Sequence, residues 1–132
     1  MKQSLLRNLL LLDAAVLFLL GGLFIVLPRQ VELAFQFRDL PQGVSYILGL
    51  WGSVLVTMSL GYAVAARDPI RHVAWIQVGI ARGALECVVG AVYLALGLVT
   101  FQQAGFGVAV AGLITVAYIV LYPRASSGAG TR

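Results

Sequence analysis

Three ionisable residues lie inside otherwise apolar stretches of this 132-residue chain: Asp13, Arg82 and Glu86. Arg82 and Glu86 are four residues apart, a spacing at which two side chains meet on one face of a helix. A charge inside a hydrocarbon environment costs about 2.5–3.5 kcal/mol on insertion scales, so such residues pair with one another or serve a function. The three residues fit a structural chain Glu86–Arg82–Asp13 that fixes a helix bundle, or a proton- or ligand-responsive site. The sequence leaves both interpretations open.

The other residue types offer little catalytic or metal chemistry. His72 is the one histidine and Cys87 the one cysteine, so a disulfide, a zinc site and a haem held by two histidines lack their ligands within the chain. The patterns G-x-S-x-G, G-x-x-x-x-G-K-[ST] and H-E-x-x-H do not occur. We therefore expect no catalytic residues, no metal site and no cofactor.

The elements that carry the three charges are apolar and long. Hydrophobic residues make up 61% of the chain and charged residues 11%, and the mean hydropathy is +0.96. A membrane-crossing helix needs about 20 apolar residues, and four stretches reach that length: 9–27, 44–66, 73–98 and 104–121. The sequence predicts an all-α, four-helix transmembrane bundle formed by one domain, residues 1–123, in a lipid bilayer.

The basic residues outside the stretches fall into two groups. Six lie at the N-terminus, between the second and third stretches, and at the C-terminus: Lys2, Arg7, Arg67, Arg71, Arg124 and Arg132. The loop after the first stretch holds only Arg29 and Arg38. By the positive-inside rule, we expect up-down-up-down topology with both termini cytoplasmic and a disordered cytoplasmic tail at 124–132. The net charge of +4 forms no basic stripe with aromatics, so no nucleic-acid partner is expected.

The first loop is the longest. Within it, Val31, Ala34 and Phe35 follow helical spacing, with Phe37 close by. This pattern is typical of a short amphipathic helix lying on a membrane surface. A plain linker is the alternative.

Small residues indicate where helices approach one another, because close packing drives association in lipid. The third stretch contains a pair of glycines, Gly79 and Gly83, in the G-x-x-x-G pattern. The second stretch has a small residue at every fourth position, which we interpret as a face for bundle packing or for a dimer: Ser45, Gly49, Ser53, Thr57 and Gly61.

Aromatic residues offer a candidate pocket lining: Trp51, Trp75 and Tyr93. Aromatic belts at the membrane surface explain such residues as well.

Three features resemble the small DoxX-like bacterial membrane proteins. They are the loop Pro28-x-x-Val31-x-x-x-Phe35, the glycine-rich second stretch and the turn Arg67-Asp-Pro-Ile-Arg71-His. The resemblance implies a multi-pass, four-helix bundle in the inner membrane of a bacterium. It carries no catalytic residues to this chain.

Two functional hypotheses follow. The first is a non-catalytic membrane protein that is an accessory or scaffold subunit, with other membrane proteins or further copies as partners, or that binds a small hydrophobic molecule. The second is a small proton-coupled transporter that uses Asp13. An acid in the first of four spans is similar to the small multidrug resistance proteins, but the long first loop differs from them. Arg82 differs too, because its charge would repel a cationic substrate.

Overall fold

The protein is all-helical in the residues that the computed structural model describes, 1–37, 41 and 43–123. Four of its helices are long and apolar enough to cross a membrane, as predicted. Arg38 and the predicted tail at 124–132 lie outside the described residues. The helices are α1 (Lys2–Val26), α2 (Pro28–Ala34), α3 (Gly43–Ala65), α4 (Val73–Ala95) and α5 (Phe101–Leu121).

Helix α4 ends earlier than its apolar stretch, because Gly97 closes it. Gly97 has a φ of 67°, in the left-handed region that glycine adopts without a steric penalty. The Leu98 N–H donates to the Tyr93 carbonyl at 3.0 Å, and the Gly97 N–H donates to the Leu94 carbonyl at 3.1 Å. These two bonds form a Schellman motif, which satisfies carbonyls that the helix end leaves open.

Helix α5 begins earlier than predicted, because Thr100 caps it. The Thr100 hydroxyl accepts from the Gln103 N–H at 3.3 Å, and the Gln103 side chain accepts from the Thr100 N–H at 2.8 Å. This capping box satisfies two backbone donors at the helix start. The connection between α4 and α5 is therefore short and fixed at both ends.

The first loop contains the helix α2, so the helical alternative is the one observed. Pro28 occupies its first turn, where the missing N–H of proline costs nothing. The Ser45 hydroxyl donates to the Glu32 carboxylate at 2.9 Å. This bond joins α2 to the start of α3.

Helices α1 and α3 touch through their backbones. A Cβ added to Gly21 would lie 2.7 Å from the Gly52 carbonyl oxygen, and one added to Gly52 would lie 2.6 Å from the Gly21 carbonyl oxygen. Leu17 and Leu55 are buried near this contact. Only glycine at both positions allows so close an approach.

Helices α4 and α5 form the second close pair. A Cβ on Gly79 would lie 2.8 Å from the Tyr118 ring, and one on Gly83 would lie 3.0 Å from the Ala111 carbonyl oxygen and against the Thr115 hydroxyl. Gly79 and Gly83, which the sequence singles out, thus face α5.

The packing face of α3 lies one position away from the predicted small-residue face. Ser53 and Thr57 are exposed, and their hydroxyls donate to carbonyls of α3 itself at 2.7 and 2.9 Å. A Cβ on Gly49 would meet no atom within 4 Å, whereas Gly61 lies against the Trp75 ring. The buried face combines small residues, which allow close approach, with Leu55 and Tyr62, which bury apolar surface; it consists of Gly52, Leu55, Ser59, Tyr62 and Ala65. The dimer interpretation of Ser53 and Thr57 stays a prediction.

The α1–α3 contact gives a direct test of this arrangement. Gly52→Ala places a methyl group against backbone, so we expect a loss of about 1–3 kcal/mol, typical of overpacking, and a lower Tm in detergent. Gly49→Ala is the matched control, because its methyl group enters open space, and its Tm should be unchanged or higher. Equal losses in the two variants would contradict the close contact.

Candidate functional site

One side chain from each of the four long helices meets inside the bundle. These residues, which we call the central cluster, are Asp13 of α1, Tyr62 of α3, Arg82 of α4 and Tyr118 of α5. Asp13 is 2% exposed, and both tyrosines are fully buried. The cluster is thus the common point of contact of all four helices.

Asp13 has donors on both carboxylate oxygens. Nη2 of Arg82 donates to Oδ1 at 3.0 Å and to Oδ2 at 3.3 Å. The Tyr118 hydroxyl donates to Oδ2 at 3.0 Å. Bonds to an ionised group are shorter and stronger than neutral ones, so this carboxylate is well compensated despite its burial.

Asp13 and Arg82 occupy similar positions along their helices. Asp13 is eleven residues into α1, about 16 Å along the axis, and Arg82 is nine residues into α4, about 14 Å, at 1.5 Å per residue. Because α1 begins at Lys2, the two residues lie at nearly equal distances from their helix starts.

The ring of Tyr62 lies against the guanidinium of Arg82 and contacts two further aromatic rings. Cζ of Arg82 lies 5.5 Å from the centre of the Tyr62 ring, within the range of a cation–π interaction. The Tyr62 ring stacks on Tyr118 at 6.4 Å and meets the edge of Trp75 at 5.6 Å. Trp75 itself fits against Gly61. Trp75 therefore supports the central cluster from within the bundle.

Glu86 has a different environment from Asp13. Its Oε1 lies 3.5 Å from Nε of Arg82, and its side chain is 42% exposed. Nε and Nη1 of Arg82 are buried without a hydrogen-bond partner. Asp13 is thus the main partner of Arg82, while Glu86 is a looser neighbour at the edge of the cluster.

Glu86 lines a recess at the side of the bundle, which we call the lateral groove. It lies between Trp51 of α3 and the helices α4 and α5, and its volume is about 510 Å³. Arg82 borders it from the inner side. Its other lining residues include Leu85, Val89, Gly107 and Val108.

A second recess, the interfacial recess, lies beneath α2 and has a volume of about 410 Å³. Glu32, which bonds Ser45, is its polar lining residue. The apolar lining residues are Phe24, Val31, Phe35, Phe37, Val44 and Leu48. Tyr93 lines neither recess and is exposed, so of the three aromatics singled out in the sequence only Trp51 lies in one of them.

Comparison with protein-family models, curated proteins and solved structures finds no match for this chain. The DoxX-like resemblance therefore stays a prediction. In the described part of the chain, no group of three or more His, Cys, Asp or Glu side chains could hold a metal ion.

Sequence reasoning did not place the two tyrosines in the cluster. Tyr62 and Tyr118 lie within the last turns of their helices, where aromatic residues of a membrane belt are also found. A hydroxyl-bearing side chain in an apolar span usually finds a partner when buried, and this signal could have identified Tyr118, which bonds Asp13. It does not account for Tyr62, whose hydroxyl is buried without a hydrogen-bond partner.

The cluster geometry predicts which acid matters for stability. Asp13→Asn leaves the buried Arg82 without its counter-ion, and we expect a loss of about 3–5 kcal/mol, as when one side of a buried pair is removed. Adding Arg82→Met to that variant should recover much of the loss, because the stranded charge then disappears. Glu86→Gln is the control and should cost less, since Glu86 is partly exposed. Chemical unfolding in detergent measures all four proteins; a double variant less stable than Asp13→Asn would contradict the pairing.

Proposed function

We propose that this chain is a non-catalytic, multi-pass protein of the bacterial inner membrane, in which the central cluster fixes the bundle. Its four long helices run up-down-up-down with both termini cytoplasmic. It acts as an accessory or scaffold subunit, beside other membrane proteins or further copies of itself. The observation that supports this best is the bonding of Asp13.

A carboxylate that exchanges protons with a passing substrate has to become free during the cycle. Asp13 holds three donor contacts from Arg82 and Tyr118 and is 2% exposed. Releasing it would leave the Arg82 charge buried without compensation, at a cost of several kcal/mol. This arrangement supports a structural role for the cluster.

The two recesses support a further part of the proposal, the binding of a small hydrophobic molecule. Ligand sites are concave, mostly apolar and about 300–1,000 Å³ in volume. The interfacial recess, at about 410 Å³, and the lateral groove, at about 510 Å³, are in this range. Both are lined mainly by aliphatic and aromatic side chains.

The alternative function is proton-coupled transport through Asp13. It predicts a proton flux through the reconstituted protein, whereas the scaffold role predicts none. In vesicles that enclose a pH-sensitive dye, we expect the wild type and the Asp13→Asn, Arg82→Met double variant to give the same slow proton leak. In mild detergent, both should be recovered with the same bound proteins and lipids in fixed ratio. Proton flux that only the wild type supports would replace the scaffold with the transporter.

The proposed topology can be tested separately. We expect a cytoplasmic reporter to be active when fused after Arg132, and a periplasmic reporter to be active when inserted at Gln36, because six basic residues lie on the side of the termini. Reporters exchanged between the two positions serve as controls. Periplasmic activity after Arg132 would overturn this orientation.

A further inference from the structure

The ionised form of Glu86 carries a negative charge that the bundle balances only in part, through one contact with Arg82. Asp13 takes both short contacts of Arg82, at 3.0 and 3.3 Å, whereas Glu86 has one contact at 3.5 Å. Two carboxylates and one guanidinium leave a net charge of −1. In the part of the chain that the structure describes, Arg82 is the only base within 4.0 Å of Glu86. The surplus charge therefore lies at the exposed carboxylate.

The position of Glu86 makes that charge costly. It is the fourteenth of the 23 residues of α4, close to the middle of a candidate span. Lipid there offers no hydrogen-bond donor. A ligand that brings a positive charge to this depth gains more from the carboxylate than it would in water, because attraction between charges rises as the dielectric constant falls.

The lateral groove fits the rest of such a ligand. Its lining residues include the aliphatic side chains of Leu85, Val89 and Val108, and the indole of Trp51. Aliphatic and aromatic walls suit the hydrocarbon body of a ligand. The volume of about 510 Å³ is sufficient for a small amphiphile.

We propose that the lateral groove binds a lipophilic amine, with its ammonium group paired to Glu86 and its apolar body between Trp51 and the helices α4 and α5. This inference rests on the proposed binding of a small hydrophobic molecule and names its chemical class. The charge of Arg82 does not exclude a cation, because Asp13 compensates it at 3.0 Å.

Three amphiphiles that share the same hydrocarbon tail but differ in head group test whether the groove prefers a cationic ligand. Purified wild-type protein in lipid nanodiscs is titrated with dodecylamine, dodecanol and dodecanoic acid at neutral pH, where an aliphatic amine is cationic as lysine is. Binding is read by native mass spectrometry and by the shift in Tm. We expect dodecylamine to bind at least about tenfold more tightly than the other two, as a hydrogen bond to a charged group allows.

Two variants test whether the amine binds in the lateral groove. Glu86→Gln removes the charge at nearly constant shape. Gly107→Leu fills the groove without disturbing the bundle, because a Cβ at Gly107 meets no atom within 4 Å. Both should weaken dodecylamine binding at least about tenfold. Gly22→Leu is the matched control, since Gly22 is equally open but lies on α1, outside the groove, and it should bind as the wild type does.

The outcomes separate this inference from the function on which it rests. If dodecanol binds most tightly and Gly107→Leu blocks it, the groove binds a neutral molecule, and the amine is excluded while hydrophobic binding stands. If all three amphiphiles bind the wild type and Gly107→Leu equally, the groove is not the site. If Gly107→Leu instead converts a dimer into monomers, the groove is an interface between copies and the inference is wrong. The scaffold role, tested by purification, survives each of these results.

Discussion

The contact between Asp13 and Arg82 joins two halves of the structure, which also meet where Trp75 packs against Gly61 and where Tyr62 stacks on Tyr118. Helices α1 and α3 form one half through the glycine contact at Gly21 and Gly52, and α4 and α5 form the other. No Cα atom of α1 lies within 8 Å of a Cα atom of α4. The long side chain of Arg82 spans that gap. Because lipid supplies no hydrophobic attraction between helices, the relative position of the halves depends strongly on this polar bridge.

The two acids near Arg82 show how environment divides one chemical group between two roles. Asp13 accepts hydrogen bonds from the Arg82 guanidinium and the Tyr118 hydroxyl, so its charge is compensated within the fold. Glu86 contacts the same guanidinium from the exposed side and keeps most of its bonding capacity. The ring of Tyr62 lies over the guanidinium and limits the approach of other groups to it. A single arginine thus stabilises the bundle on one side and borders an open recess on the other.

The helices were predictable from the sequence, whereas most of the contacts were not. Stretch length and apolar content identify four long helices, but local bonds at Gly97 and Thr100 set two of their ends. The sequence predicted the chain Glu86–Arg82–Asp13, but not that Asp13, 69 residues from Arg82, would be the closer of its two partners. Periodicity places a group on a helix face and does not say which helix faces it. The second stretch shows the same limit, because Gly52 and Ser59 offer a second small-residue face beside the predicted one.

The separation of 69 residues between Asp13 and Arg82 also has a consequence for biosynthesis. At about 5–20 residues per second, the ribosome needs about 3–14 s to add that length of chain. During this interval α1 enters the bilayer with an aspartate whose counter-ion does not yet exist. A lone acid at that depth opposes insertion by about 2.5–3.5 kcal/mol. Of the four long helices, α1 contains the 18-residue segment of highest hydropathy, which is rich in leucine. Each leucine favours insertion by about 0.3–0.6 kcal/mol. The composition of α1 therefore suits a segment that must wait in the membrane, unpaired, for the rest of the chain.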